Sequence, residues 1–313
     1  ELTAGLYKVW VELQDSPYIN QYFHNATDHD SATPIDITNR ASASQINFSL
    51  ELGATITGRV VLAADNLPVG GITVSAFNQA TKKRAGQVRS SDNGTFILQG
   101  LPGGSYILQA KGDGVSPTYY GGDHKRSSAV PIDVTAGAGT VANIALLNYS
   151  AIGGAITDPS GSALAGVPVH AYDSKDKVFT FSPPVASAVS DANGQYELIN
   201  LPPGRYFLKA VAESTWLMEV YDNQSLGGEP TPIDTESGQH LAGINFSLEP
   251  GGAVQGMVTD STTGEPIPKI LIKAYDPVTG KTINQTATDY DGKYLLDRLP
   301  AGGVHLHVLS IRH

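Results

Sequence analysis

Leu201-Pro-Pro-Gly-Arg-Tyr-Phe-Leu-Lys-Ala210 decides the fold, because the chain repeats it. Leu101-Pro-Gly-Gly-Ser-Tyr-Ile-Leu-Gln-Ala110 and Leu299-Pro-Ala-Gly-Gly-Val-His-Leu-His-Val308 are close copies, and Leu2-Thr-Ala-Gly-Leu-Tyr-Lys-Val-Trp-Val11 is a weaker one. The spacings are 101 − 2 = 99, 201 − 101 = 100 and 299 − 201 = 98 residues. Other words keep that period. Pro34-Ile-Asp36, Pro131-Ile-Asp133 and Pro232-Ile-Asp234 form one set. Ile46-Asn-Phe-Ser-Leu50 and Ile244-Asn-Phe-Ser-Leu248 form another, with Asn143-Ile-Ala as a degraded third. Ser91-Asp-Asn-Gly94, Asp191-Ala-Asn-Gly194 and Asp289-Tyr-Asp-Gly292 are the last. Self-similarity at a fixed period is the mark of a tandem array.

Each unit reads as β. Tyr206, Leu208 and Ala210 alternate with Phe207 and Lys209, and Tyr7, Val9 and Val11 alternate with Lys8, Trp10 and Glu12. A period of two puts one set of side chains on a buried face and the other on a wetter one. By the same alignment Val304, Leu306 and Val308 take core positions, and His305 and His307 share an outer face with Phe207 and Lys209. The Asp-x-x-Gly words fall where strands connect: Gly supplies positive φ, and Asp or Asn closes an Asx-turn. Leu-Pro-x-Gly makes the next turn, since Pro fixes φ and has no N–H for a ladder. Helical periodicity is nearly absent. Six to eight short strands per unit imply an all-β fold, a tandem array of Ig-like β-sandwich domains.

Composition agrees. The 313 residues include 34 Gly and 19 Pro without a Gly-X-Y period, so a turn-rich β protein is favoured and collagen is excluded. The net charge of −10, with 30 Asp and Glu against 20 Lys and Arg, argues against a nucleic-acid partner. Zero Cys removes disulfides, thiolate nucleophiles and Cys-ligated zinc. No run of about 18 apolar residues is present to span a membrane. Without an initiator Met, Glu1 reads as a processed mature end or a fragment edge.

The repeat words divide the chain into the C-terminal half of a unit (1–52), two complete units (53–149 and 150–249) and the N-terminal part of a unit (250–313). A half sandwich leaves an apolar face and an unpaired edge. Either the chain is an excerpt, or the parts complete one another between copies, head to tail, by strand addition. The strand at Leu2 is duplicated by that at Leu299, so the two ends do not join without redundancy.

The words Gly256-Met-Val-Thr-Asp260, Thr263-Gly-Glu-Pro-Ile267, Ile272-Lys-Ala-Tyr-Asp276, Thr288-Asp-Tyr-Asp-Gly-Lys-Tyr294 and Leu299-Pro-Ala-Gly302 resemble the carboxypeptidase regulatory-like family, a relative of the Cna-B-like domains of bacterial surface proteins. The resemblance recurs in each unit and implies a transthyretin-like (prealbumin-like) β-sandwich. Tyr119-Tyr-Gly-Gly-Asp123 and Pro131-Ile-Asp-Val134 resemble words of multi-repeat secreted prokaryotic proteins. These motifs specify fold rather than function, since they are turn formers and core positions. Cna-B-like domains often carry a Lys–Asn isopeptide bond. The opening strands here, Thr57-Gly-Arg-Val-Val61, Gly154-Ala-Ile-Thr157 and Gly256-Met-Val-Thr259, supply no Lys, so none is expected. The zinc peptidase to which such domains are appended in carboxypeptidases has no counterpart in this sequence.

Catalytic signatures are absent: no His-Glu-x-x-His, Gly-x-Ser-x-Gly or phosphate loop occurs. The candidate metal ligands are acidic turns. Asp158, Asp173 and Asp191 recur in one unit, Asp260, Asp276, Asp289 and Asp291 in the next, and the first complete unit offers Asp65, Asn78, Asp92 and Asn93. Calcium takes six to eight oxygens, which loops at one sandwich end can supply. Asx-turn formation explains the same residues without a metal. His305 and His307 project from one strand face, the placement of two transition-metal ligands or of a surface pair. His24 and His29 lie in a polar loop with Asp28 and Asp30.

Tyr18, Tyr22, Tyr119, Tyr120 and Tyr221 gather before the Pro-Ile-Asp strands. They suit stacking on sugars or packing of each loop. Asn-x-Ser/Thr acceptors occur at Asn25, Asn47, Asn93, Asn148, Asn223, Asn245 and Asn284, candidates for N-glycosylation. Asn47 and Asn245 are expected within strands, on the polar side.

The expectation is a non-enzymatic extracellular structural protein: a cell-surface stalk, adhesin or filament subunit whose partners are neighbouring repeats or copies of itself. The alternatives are a glycan-binding accessory module of a secreted hydrolase and a calcium-stiffened linker.

Overall fold

The computed structural model describes residues 2–13, 15–26, 28–38, 42–180, 182–211, 216–222, 229–278 and 280–309. The chain divides into two compact units, residues 1–149 and 150–313.

In the first unit the opening strand Ala54–Leu62 is the centre of one sheet. It pairs antiparallel with Thr95–Leu101 and, on its other side, parallel with Gly139–Val141 and Ile144–Asn148. The facing sheet is built on Gly104–Lys111, which pairs antiparallel with Thr73–Asn78, Thr118–Tyr119 and Ile132–Val134, while Arg84–Arg89 joins Thr73–Asn78. Alternate residues from both sheets fill one core, including Ile56, Val60, Leu98, Tyr106, Leu108, Ile144 and Leu146. Burying each such side chain contributes about 1.5–3 kcal/mol.

The second unit repeats this arrangement. Ser150–Thr157 pairs antiparallel with Gln195–Leu201 and parallel with His240–Leu241 and Phe246–Ser247. Gly204–Ala210 pairs with Pro168–Tyr172, Glu219–Val220 and Ile233–Thr235. Further along, Gly252–Met257 pairs with Lys293–Leu299, and Leu271–Tyr275 pairs with Thr282–Ala287 and His305–Leu309. These are the same strands in the same order, without the closing ones.

The short strands of residues 2–38 keep the repeat register. Tyr7 opposes Ile35, as Tyr106 opposes Ile132 and Tyr206 opposes Ile233. Trp10 opposes Tyr22, as Gln109 opposes Tyr119. One hydrogen bond recurs with the Leu-Pro turn: the hydroxyls of Tyr7, Tyr106 and Tyr206 donate to the carbonyls of Thr3, Pro102 and Pro202. Val304 occupies that position in the last copy.

The Asp-x-x-Gly turns carry the chain from one sheet to the other. Gly94, Gly194 and Gly292 sit at φ +79, +73 and +73, and a Cβ there would lie 2.4, 2.5 and 2.6 Å from the carbonyls of Val60, Ile156 and Val258. Both the backbone angle and the close approach require glycine.

Two burial expectations change. Leu306 and Val308 are 37% and 57% exposed, because no strand among the described residues lies over them. Phe207 and Lys209 are buried rather than facing water. The short helix Lys175–Val178 covers that face, and Tyr172, Val178, Phe207 and Val220 form a small second core. The Lys209 ammonium donates to the Val178 carbonyl at 2.6 Å and sits 5.2 Å from the Tyr172 ring centroid. Burial lowers its pKa.

Candidate functional site

The opening strands hold the site. In the second unit the parallel neighbour comes so near that a Cβ on Gly154 would sit 1.9 Å from the Ile244 carbonyl oxygen; on Gly58 it would sit 2.0 Å from that of Ala142. Glycine is there to admit a strand. Hydrogen bonds along its length fix the admitted strand. The Tyr196 hydroxyl donates to the Ile244 carbonyl at 2.6 Å. The Ala155 amide donates to Asn245 Oδ1 at 2.9 Å, and the Arg59 amide donates likewise to Asn143 Oδ1 at 2.9 Å. The Ala151 amide donates to the Gln239 carbonyl, and the Thr55 amide to that of Ala138. Phe246 then packs against Tyr196, centroids 6.0 Å apart, and against Tyr221 at 6.0 Å. Desolvation raises the Tyr196 pKa, so its hydroxyl stays protonated and a donor.

Among the described residues no strand lies at that place in the C-terminal strands. A Cβ on Gly256 would meet the Tyr294 ring and hydroxyl at 2.7–2.9 Å and no backbone of a parallel neighbour. Among the described residues Gly252–Met257 pairs only with Lys293–Leu299. By register the amides equivalent to those of Thr55/Ala151 and Arg59/Ala155 are those of Ala253 and Met257. Gly58, Gly154 and Gly256 are functional positions absent from the candidates drawn from sequence. The signal is in the repeat: each glycine recurs at one point of the opening strand, with an aromatic residue (Phe96, Tyr196, Tyr294) at a matching point of the antiparallel partner strand.

Residues 42–50 hold the complementary word. Ile46-Asn-Phe-Ser-Leu50 is identical to the word that closes the second sandwich, where Phe246–Ser247 alone is strand; here it forms no ladder, so neither Asn47 nor Asn245 lies within a strand as expected. Its surroundings still follow the repeat. Phe23 meets Phe48 edge-on at 6.1 Å and 69°, matching Tyr221 and Phe246 at 6.0 Å and 72°. The Ile19 amide donates to the Glu51 carbonyl, as Leu217 does to Glu249.

The acidic turns are dispersed, and their oxygens are engaged locally. Asp158 Oδ1 accepts from the Ser160 and Ser162 amides, which together with the Ser160 hydroxyl hold its pKa below the usual carboxylate value. Asp191 accepts from the Asn193 and Gln195 amides, and Asp289 from those of Asp291 and Lys293. Asp260, Asp276 and Asp65 accept from the amides of Thr262, Val278 and Leu67. Asn78 accepts from the Ala80 and Thr81 amides and Asn93 from that of Thr95. Asp92 is exposed, and Ser91 takes the Asp191 position. Asp173 pairs with Lys177 at 2.7 Å, and Asp291 with Lys293 at 3.6 Å. Among the described residues no group of three or more His, Asp or Glu side chains gathers around a point that could hold a metal.

His305 and His307 are exposed on the outer face, where His307 meets Tyr275 edge-on at 5.9 Å. His24 stacks on Phe23, and His29 lies 3.5 Å from Asp30. Tyr120 and Tyr221 pack against the cores of their own sandwiches. The Tyr119 hydroxyl accepts from Gln109 Nε2, and Tyr18 bridges to Leu52. Among the glycosylation candidates, Asn25, Asn47, Asn93 and Asn245 are exposed and Asn148 and Asn284 half-buried, with Asn284 Nδ2 donating to the Asp297 carbonyl. Asn223 lies outside the described residues.

Similarity to known proteins matches this geometry at the level of the family. No curated protein matches the chain. Among solved structures it is similar to the Bacillus anthracis TIE protein, at 18% identity over 83% of this chain, with a TM-score of 0.28; it spans 45% of that chain. It is similar to GBS52, the minor pilin of Streptococcus agalactiae, at 14% identity over 63% of this chain and 96% of that one, with a TM-score of 0.39. It is also similar to the shaft pilin SpaA of Lactobacillus rhamnosus GG, at 10% identity over 64% and 98%, with a TM-score of 0.28. The profile of the carboxypeptidase regulatory-like domain matches three consecutive stretches, residues 55–147, 151–248 and 253–312, and the chain belongs to that family.

Proposed function

We propose that this chain is a non-catalytic structural array of the cell surface, a stalk, adhesin or filament subunit, in which copies join head to tail by strand complementation. The observation that carries this reading is the open side of Gly252–Met257, set against an unladdered Ile46–Leu50 word that duplicates the closing strand of the second unit. Main-chain pairing supplies affinity in such a joint, and alternate side chains supply specificity. The apolar residues left exposed in the facing sheet, Leu306 and Val308, favour the closing of this sandwich. Rigid sandwiches linked through short joints such as Glu249-Pro-Gly-Gly252 hold spacing and shape. The net negative charge keeps such an array dispersed. Surface location follows from the resemblance to multi-repeat secreted proteins.

Electron microscopy of the concentrated chain tests the proposal. Filaments with an axial repeat near three sandwich lengths are expected; dispersed single particles at every concentration reject it.

A further inference from the structure

We infer that the open edge of Gly252–Met257 is a slot for one parallel strand, and that its occupant is Ile46–Leu50 of a second copy, read through Tyr294, Gly256 and the Met257 amide. The inference rests on the assembly reading above and names its recognition chemistry.

The filled slot of the second unit gives the register. There the Ile244 carbonyl passes over Gly154 and accepts from the Tyr196 hydroxyl, while Asn245 Oδ1 accepts from the Ala155 amide. Transferred by the repeat, the Ile46 carbonyl passes over Gly256 and accepts from the Tyr294 hydroxyl. Asn47 Oδ1 accepts from the Met257 amide, and Phe48 covers the Tyr294 ring. Among the described residues the Tyr294 hydroxyl has no hydrogen-bond partner.

The two filled slots differ in a way that selects the occupant. The first unit has Phe96 at the tyrosine position and admits Ala142-Asn-Ile144; the second has Tyr196 and admits Ile244-Asn-Phe246. The empty slot has Tyr294, and the unladdered word is Ile46-Asn-Phe48. The donor is also prearranged: Phe48 already holds the edge-on contact with Phe23 that Phe246 holds with Tyr221, which leaves its other face for an aromatic acceptor. The duplicated Leu-Pro strand does not obstruct the slot itself, because His305–Leu309 belongs to the facing sheet, with Leu271–Tyr275.

The test uses a fluorescent synthetic peptide of residues 42–52 titrated with the full chain by anisotropy, alongside sedimentation of the chain alone. Saturable peptide binding is expected, with no binding of a scrambled peptide. Asn47→Ala in the peptide weakens binding about five- to tenfold, the loss of one hydrogen bond together with the stranded Met257 amide. In the chain, Tyr294→Phe weakens binding similarly. Gly256→Ala abolishes it with an unchanged circular dichroism spectrum. The peptide variant leaves the acceptor untouched, so misfolding cannot mimic its effect. Sedimenting oligomers are expected to grow with concentration, to need about five- to tenfold more chain in Asn47→Ala, and to be lost in Gly256→Ala.

Peptide binding indifferent to both Asn47 and Gly256 overturns the slot. Filaments that grow equally well from the variant chains overturn it too, while leaving head-to-tail assembly standing. A chain that stays monomeric at all concentrations overturns the second copy as occupant and the assembly reading with it.

Discussion

Leu208 and Leu306 occupy the same position of the same strand, yet Leu208 is fully buried and Leu306 is 37% exposed. Ala210 and Val308 differ in the same direction. Among the described residues the second sandwich gathers fourteen buried hydrophobic side chains in its main core and the C-terminal strands four. The apolar positions of the two strands coincide: Val304, Leu306 and Val308 stand where Tyr206, Leu208 and Ala210 do. What differs is the presence of Ile233, Phe246 and Leu248, brought over the core by strands that follow the Leu-Pro turn. In this repeat a core position is defined by residues some thirty places downstream, and pattern alone cannot make it buried.

Substitutions that act on the closed sandwich and spare the open one sharpen this contrast. Gly154→Val drives a side chain into the Ile244 carbonyl and is expected to cost about 3 kcal/mol or more in denaturant unfolding. Gly256→Val, which displaces the half-buried Tyr294 ring instead of a backbone carbonyl, should cost less, about 1 kcal/mol. Equal costs would mean that Gly252–Met257 is already covered. Next in size, Leu208→Ala should cost about 2–5 kcal/mol and Leu306→Ala under about 1 kcal/mol. Hydrogen exchange resolved by segment reads both.

Smaller still, Tyr206→Phe removes the hydroxyl bond to the Pro202 carbonyl at a cost of about 1 kcal/mol. The same tyrosine makes the contrast depend on pH. Burial pushes its pKa up from 10.0 to about 12. The neutral phenol belongs to the folded state, so the stability it contributes is complete below pH 10 and is lost as pH rises through about 12. Exchange in residues 150–211 should therefore accelerate across that window, and Tyr206→Phe should blunt the change. The last copy has Val304 there and lacks this contribution. Least of all, Asp191→Ala should cost about 0.5 kcal/mol or less, with the same melting temperature in calcium and in chelator, because its carboxylate closes its own turn. A chelator-sensitive melting curve in the parent would instead return calcium to the account.

The sequence made the array, the β class and the turns legible because those features are local. Gly94, Gly194 and Gly292 announce positive φ wherever they stand. The identical Ile-Asn-Phe-Ser-Leu words were equally plain. Their pairing was not, because it depends on a glycine about 90 residues earlier, Gly154 for Ile244, that only coordinates bring alongside. Phe207 and Lys209 were misplaced for a different reason. Their cover is a single helical turn, Lys175–Val178, too short to leave a periodic trace.

The parallel pairing of the first strand of each closed sandwich with its last ones has a mechanical consequence. Tension entering at Ala54 and leaving at Asn148 pulls two hydrogen-bonded neighbours in opposite directions along their length. The bonds between them are then sheared together rather than unzipped one after another, the geometry in which a ladder resists extension best. Ser150–Thr157 and its parallel neighbours form the same clamp. Among the described residues Gly252–Met257 has no such clamp, so tension applied along it would be borne by the antiparallel pairing with Lys293–Leu299 alone.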